Sequence, residues 1–451
     1  MGLDMSKPML SGHAGRPTHP LCSAGRYPAS DRLIPLWSRA TYPSHQAGGW
    51  RPRWRAGVLG LRLHILIDSI EPGGAQNLLP GFAAAAVREG MQVRVSYLRD
   101  YGGPVAAFEE TGIEPFCIGT SSLLGRTDRA LVRAHLAQSE PDVLHTHLGY
   151  SDVLGGFAAR SLGFPTVSTL HAITWSTGSA RDRVKERLQA AVRRRSAFPV
   201  VAVCEAARRA YLSHRWDAPD RVLTVHNGIR DQHAPGRGKR VREELGLSPT
   251  DIVVTMVSVL RRDKAGLFPP PSVLTVAGHE IAAAAVGDLA AEFPGIRLLV
   301  VGDGPDRPAV ERAMSPLGDQ ALMIGHRGDI PDVLDATDVL IHPAYADAFP
   351  TVLLEAMSSS VPVVATAVGG IPEIVGDGET GVLFGAPPRA DELVTAVRPL
   401  LADSGVRARL GEAGRRRYEA AFTADRWVQR MLPVYEAAHA RSLRSGNRPQ
   451  G

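Results

Sequence analysis

Cysteine is scarce in this chain: Cys22, Cys117 and Cys204 are its three, far apart and in no C-x-x-C spacing. Neither a disulfide framework nor a cysteine-held zinc site can be built from them, and a reducing, cytoplasmic compartment is the expectation. Long apolar runs are missing as well. No stretch reaches the roughly 18 residues that a membrane helix needs, so any membrane association would be peripheral. A strong field of one sign is also lacking. The net charge is +5, but residues 1–60 hold eight Lys/Arg against two Asp, a surplus of +6, so the rest of the chain carries −1. A body this close to neutral is no nucleic-acid partner.

What is present is globular: 44% apolar and 22% charged residues in a chain of 451, too long for one ordinary core and suited to two domains. Residues 1–60 stand apart, with seven prolines and no sustained periodicity. Such a segment buries no core and reads as a disordered basic Pro/Arg-rich extension. An Arg-rich, acid-poor composition also suits a transit peptide, but the prolines break any amphipathic helix. The fold is expected to begin at Leu61.

LRLHILIDSI (61–70) is a near-continuous apolar run followed by the turn EPGGAQ and a helical pattern through Arg88. That is how a doubly wound α/β unit opens, and Gly73-Gly74 would let a ligand approach the backbone closely. QVRVSYL (92–98), PDVLHTHL (141–148) and GFPTVSTLHA (163–172) continue the strand-helix alternation of a parallel sheet. His145, His147 and His171 fall at C-terminal strand ends, the edge where open parallel sheets bind ligands. An H-x-H pair without a third ligand in view is weak evidence for metal, and none is assigned. The helix RDRVKERLQAAVRRR (181–195) reads first as a solvated basic face, with an anionic-membrane contact as the alternative. PVVAVCEAARRAYL (199–212) and VLTVHNGI (222–229) close a first domain over 61–235.

A second domain over 236–420 opens with DIVVTMVSVLRRDK (251–264), read as a strand ending in Arg261, Arg262 and Lys264. Cations at a strand end near a helix N-terminus are what a departing diphosphate requires. LFPPPSVLTVAG (267–278) then interrupts an otherwise smooth junction and reads as an insertion beside that cluster. IRLLVVGDGP (296–305) runs into a turn at Gly302 and Gly304, and ALMIGHRGDIPDVLDATDVLIHPA (321–344) adds two strands and a helix that include Arg327 and Ile330. A final amphipathic helix over about 423–440, with Trp427, Met431, Val434 and Tyr435 on one face, is assigned to the region 421–440 and expected to return to the first domain.

The most informative stretch is PAYADAFPTVLLEAMSSSVPVVAT (343–366). Phe349-Pro350 ends a loop, a helix starts at Thr351, and Glu355 projects one turn into it while Asp347 stays ahead of it. Unpaired N–H groups at the helix start suit phosphate oxygens, so Phe349, Pro350 and Thr351 are donor-side candidates and Glu355 is placed to take ribose hydroxyls.

With these residues the chain resembles family 4 of the retaining, GT-B-fold glycosyltransferases, over about residues 61 to 440. The resemblance implies two Rossmann-like doubly wound domains facing a central cleft. It also implies transfer of a sugar from a UDP- or GDP-sugar to a glycan, lipid or small-molecule acceptor. It places Gly73, Gly74 and Gln76 beside donor phosphate and acceptor, His147 on the acceptor side, and His171 and Asp347 near the transferred sugar. Gly302 and Gly304 match its "G-D-G-P", and Arg327 to Ile330 its segment under the nucleotide base. Two departures stand out: Asp347 replaces the usual Glu, and Val259 the usual Arg of "V-G-R-L". No D-x-D pair is present, so the diphosphate is expected to be neutralised by Lys264, Arg261 and a helix terminus, without a metal or other cofactor. The rivals are a nucleotide-sugar 2-epimerase of the same architecture and a catalytically silent nucleotide-sugar-binding protein.

Overall fold

The structure, a computed structural model, describes residues 60–71, 73–101, 105–122, 125–173, 180–231, 233–260 and 276–444. The extension up to residue 59 lies outside them, as do Arg261, Arg262, Lys264 and residues 267–275 of the segment read as an insertion.

Seven strands form the first sheet: β1 (Arg62–Ile67), β2 (Gln92–Tyr97), β3 (Phe116–Cys117), β4 (Val143–His147), β5 (Thr166–Leu170), β6 (Ala197–Ala202) and β7 (Val222–Thr224). Their order is β3-β2-β1-β4-β5-β6-β7, all parallel. Helices between the strands cover both faces, which is why Leu63 to Ile67 of β1 are all buried and read as one apolar run. The order reverses between β1 and β4, where Ile67 pairs with His147 at the C-terminal ends.

Six strands form the second sheet: β8 (Ile252–Val257), β9 (Ile296–Val301), β10 (Ala321–Gly325), β11 (Val339–His342), β12 (Val363–Thr366) and β13 (Gly381–Phe384), in the order β10-β9-β8-β11-β12-β13. All pairs are again parallel. Strand order here reverses between β8 and β11. β8 stops at Val257, short of the cations expected to end it, because the chain turns: Leu260 N–H donates to Asp303 O at 3.0 Å and Asp306 N–H to Leu260 O at 3.0 Å. Two switch points of this kind are where α/β sheets bind ligands.

The helix Ala424–Arg444 leaves the second domain and lies on the first. Trp427, Met431, Val434 and Tyr435 are buried, and Trp427 packs on Phe82 at a ring-centroid separation of 4.4 Å. Tyr435 Oη reaches His145 Nδ1 at 2.7 Å. A Cβ at Gly228 would strike the Thr423 carbonyl, so the two crossings between domains lie backbone against backbone. The Arg-rich helix Ala180–Ser196 is not solvated throughout: Arg193 turns inward and pairs with buried Asp152 at 2.6 Å. Among the described residues no helix is long and apolar enough to cross a membrane.

Candidate active site

At the first domain's strand edge, Gly73 caps the helix Gly74–Arg88 with extended backbone. A Cβ on Gly73 would sit 2.5 Å from Gln76 Oε1, whereas one on Gly74 would meet nothing within 4 Å. The Gln76 side chain thus folds back over Gly73, and Gly74 is open. Beside them, β4 and β5 present three imidazoles in a row. His145 is buried and spends both nitrogens, Nε2 on Thr169 Oγ1 at 2.7 Å and Nδ1 on Tyr435. Both ring nitrogens of His145 are thus engaged in hydrogen bonds. His147 Nδ1 lies 2.7 Å from His171 Nε2, and His147 Nε2 is buried without a hydrogen-bond partner among the described residues. Burial pushes His145 down to about 3 and His171 to about 4, and burial together with its histidine neighbours lowers His147 well below the ordinary value. All three are neutral imidazoles at neutral pH, so each offers one donor and one acceptor.

Sequence reasoning missed what aims this group. Leu148, directly after His147, has φ 72, a region that costs a branched side chain roughly 1–3 kcal/mol. It is held there by Asp68 at the end of β1, whose carboxylate accepts from Tyr150 N at 3.1 Å and Ser151 N at 2.6 Å, and by the Ser151 hydroxyl, which donates to the His147 carbonyl. Burial pushes the Asp68 carboxyl up to about 6. An acid closing the first apolar run was the available signal.

On the second domain, Gly302 (φ 133) and Gly304 (φ 158) let the turn after β9 press against the turn after β8. Side chains there would run into the carbonyls of Ser258 and Leu260. The glycines' first role is this close backbone approach. Arg327 is not free to reach a ligand with its guanidinium: it forks onto Asp329 at 2.8 Å and 2.8 Å and onto Glu244 at 2.5 Å and 3.1 Å. It braces the start of the helix Ile330–Asp335.

The helix Thr351–Ser358 begins after Pro350, with no side chain capping its N-terminus. Its first N–H groups are therefore available to an anion. Glu355 is partly buried, and burial pushes its carboxyl up to about 7 against a smaller opposing pull from Thr351. Asp347 is buried in the preceding loop. Its Oδ2 lies 3.4 Å from His342 Nε2, outside hydrogen-bonding geometry, and neither atom has a hydrogen-bond partner among the described residues. Phe349 does not face solvent but stacks on His226 of the first domain, centroids 5.2 Å apart and planes 12° from parallel.

That stack belongs to a cross-domain clasp. Glu373, in the short helix Ile371–Ile374, accepts from the backbone N–H of Glu205 at 2.9 Å to each carboxylate oxygen and of Ala206 at 3.2 Å. It caps the first-domain helix Glu205–Ser213 from the opposite side of the cleft, and His226 Nε2 sits 2.8 Å from its Oε2. Burial raises the Glu373 carboxyl, but His226 and the amides outweigh it and hold it below the ordinary value. Next to the clasp Gly369 packs on Ile173, two residues after His171, and a cavity of about 370 Å³ opens between the domains.

The comparisons agree with this geometry. Residues 72–233 match the model described as Glycosyltransferase Family 4, and residues 270–417 the model described as Glycosyl transferases group 1. The chain is 32% identical to the D-inositol 3-phosphate glycosyltransferase of Salinispora arenicola, over 68% of this chain and 71% of that protein. It is 28% identical to the alpha-maltose-1-phosphate synthase of Mycolicibacterium smegmatis, over 66% of this chain and 79% of that protein. Among solved structures, Anabaena HepE in complex with UDP superposes with a TM-score of 0.69 at 23% identity, covering 84% of this chain and 100% of that one. With strand order, switch points and sequence in accord, the chain belongs to the group 1, family 4 glycosyltransferases of the GT-B fold.

Proposed function

We propose that this glycosyltransferase is a retaining, metal-independent hexosyltransferase that takes its sugar from a UDP- or GDP-sugar. One observation carries the reading. The switch points of both sheets meet across one cleft, and each brings a buried polar atom with no hydrogen-bond partner among the described residues, His147 Nε2 and Asp347 Oδ2. Orphaned buried atoms of this kind are completed by a ligand, here the hydroxyls of a sugar. The names of the relatives, and the UDP and UDP-glucose complexes of HepE, support a nucleotide-sugar donor.

In this reading the nucleoside lies over the Arg327–Ile330 turn, Glu355 accepts from ribose hydroxyls, and the diphosphate rests on the N-terminus of Thr351–Ser358 with Arg261 and Lys264. Asp347 and His171 hold hydroxyls of the donor sugar. His147, bonded to His171, fixes which nitrogen of that ring donates. An acceptor hydroxyl attacks the anomeric carbon on the face the diphosphate leaves. The anomeric carbon–oxygen bond to phosphate breaks, the new glycosidic bond forms, and the departing phosphate oxygen takes the acceptor proton. The neutral imidazoles supply orientation without competing for that proton. We infer a cytoplasmic setting, where a lipid-linked acceptor would bring the basic helix Ala180–Ser196 to an anionic membrane surface.

Calorimetric titration with UDP, GDP and ADP in EDTA, followed by transfer assays with the matching nucleotide-sugars, tests the reading. Binding of one diphosphate and acceptor-dependent release of it from the sugar are expected. Binding without turnover would leave a silent nucleotide-sugar-binding protein, and conversion of the donor without acceptor an epimerase.

A further inference from the structure

Asp347 is anchored through its backbone, while its carboxylate oxygen Oδ2 is not. The Asp347 carbonyl accepts from Gly370 N–H at 3.2 Å, and the loop carrying Gly370 comes that close because Gly369, at φ 56, has no Cβ to strike the same carbonyl. Gly370 in turn lies against the first domain, where its own Cβ would fall 2.8 Å from the Cys204 Cβ. The side chain is held differently. Oδ2 is buried without a hydrogen-bond partner among the described residues, and His342 Nε2, facing it at 3.4 Å, is equally buried and equally unsatisfied.

This opposition follows from the path of the chain. β11 ends at His342, beside the switch point of the second sheet, and Ala344 N–H returns to the His342 carbonyl at 2.9 Å. The strand therefore turns at once, and the loop brings Asp347 to the imidazole five positions before it. Water is kept from both, His342 being 2% and Asp347 7% exposed. A donor and an acceptor buried without partners are each costly, and aligning these two removes both costs together. Hydrogen bonds that serve a reaction are commonly long or misaligned without ligand and tighten around the substrate.

We infer that His342 is a positioning residue for the transfer: with the donor sugar in place, its Nε2–H donates to Asp347 Oδ2 and fixes the direction of the carboxylate. An oxygen of a carboxylate has two lone pairs, so one faces His342 and the other is left for a sugar hydroxyl. The inference rests on the role proposed for Asp347 and adds the group that aims it.

The test turns on one atom. Glutamine can carry an N–H near the Nε2 position, asparagine carries one near Nδ1, and leucine carries none. The full-length parent, His342→Gln, His342→Asn and His342→Leu are compared by thermal midpoint, by calorimetric binding of nucleoside diphosphate, and by kcat and KM for acceptor-dependent release from the nucleotide-sugar. Diphosphate binding involves no sugar and is expected to be alike in all four. In His342→Asn and His342→Leu kcat should fall at least about tenfold while the donor KM changes by less than about threefold, and His342→Gln should return kcat to within about threefold of the parent. A residue that acts through Asp347 adds nothing once Asp347 is changed, so the double variant with Asp347→Asn should lose no more than Asp347→Asn alone. Losses that multiply, or equal kcat in His342→Gln and His342→Leu, would overturn the inference. A second arm needs no turnover and stands even if His342→Leu fails to fold. In protein with isotope-labelled histidine, the His342 ring signals, assigned with His342→Gln, are expected to shift in Asp347→Asn. Unchanged ring signals would overturn the pairing whether or not nucleotide binds. A parent that binds no nucleotide would instead sink the transferase reading and leave this arm to decide the pair.

Discussion

Replacing Glu373 by alanine should release the clasp between the domains while leaving each domain folded. The carboxylate accepts three backbone N–H contacts from the first turn of Glu205–Ser213 and one contact with His226. Hydrogen bonds to a charged group are worth about 1.5–3 kcal/mol each in favourable settings, and a negative charge at a helix N-terminus adds about 0.3–1 kcal/mol. The bonds share one carboxylate whose side chain is 21% exposed, so they do not add; a net of about 2–3 kcal/mol is the reasonable total. Hydrogen exchange reads this directly, because the amides of Glu205 and Ala206 have Glu373 as their acceptor. Their exchange should quicken by about 30- to 150-fold in Glu373→Ala, with β6 unchanged. Unchanged exchange at 205–206 would refute the clasp, and equal acceleration in β6 would mean the whole domain had been weakened. The pH dependence has a definite sign. A carboxyl held below its ordinary value stabilises above pH 4.5, and the contribution disappears as pH falls through the lowered value.

Gly302→Ala should cost several kcal/mol or prevent folding, since its Cβ meets the Ser258 carbonyl, whereas Gly74→Ala should leave the denaturation midpoint within about 0.5 kcal/mol of the parent and weaken ligand binding alone. For Glu355, whose folded-state value is raised from 4.5 to about 7, the destabilisation is absent below pH 4.5, accumulates between pH 4.5 and 7, and levels off above about 7. Glu355→Gln should therefore stabilise more at pH 8 than at pH 5, by at most on the order of 3 kcal/mol, while the parent's nucleotide affinity rises over the same interval and the variant's does not. Trp427→Ala should lose about 3–5 kcal/mol from an indole that is 1% exposed and packed on Phe82. Tyr435→Phe should lose about 1–3 kcal/mol by orphaning His145 Nδ1. Urea unfolding checks both.

Short-range pattern made much of this molecule readable. Apolar runs such as 61–70 and 296–301, each followed by a glycine turn and a helical period, locate strands of two parallel sheets, and the position of His147 and His171 at strand ends follows from counting along them. The loop-helix stretch around Asp347 and Glu355 was legible for the same reason. β3 was not, because two residues, Phe116–Cys117, carry no period. Nor were the contacts that shape the site. Glu373 and Glu205 are 168 positions apart, and Tyr435 and His145 are 290 apart. Pairings of that reach leave no trace in local periodicity. Nor was the engagement of Arg327 legible, whose partner Glu244 is 83 positions away.

The most direct test of retaining, metal-independent transfer is release of nucleoside diphosphate from UDP- and GDP-sugars by the full chain in EDTA, with and without a panel of glycan, lipid and small-molecule acceptors. Release is expected to depend on the acceptor, with retention of anomeric configuration in the product by NMR and at least about a tenfold loss in both His171→Ala and Glu355→Gln. An inverted product, release that requires added metal, or release indifferent to both substitutions would contradict it.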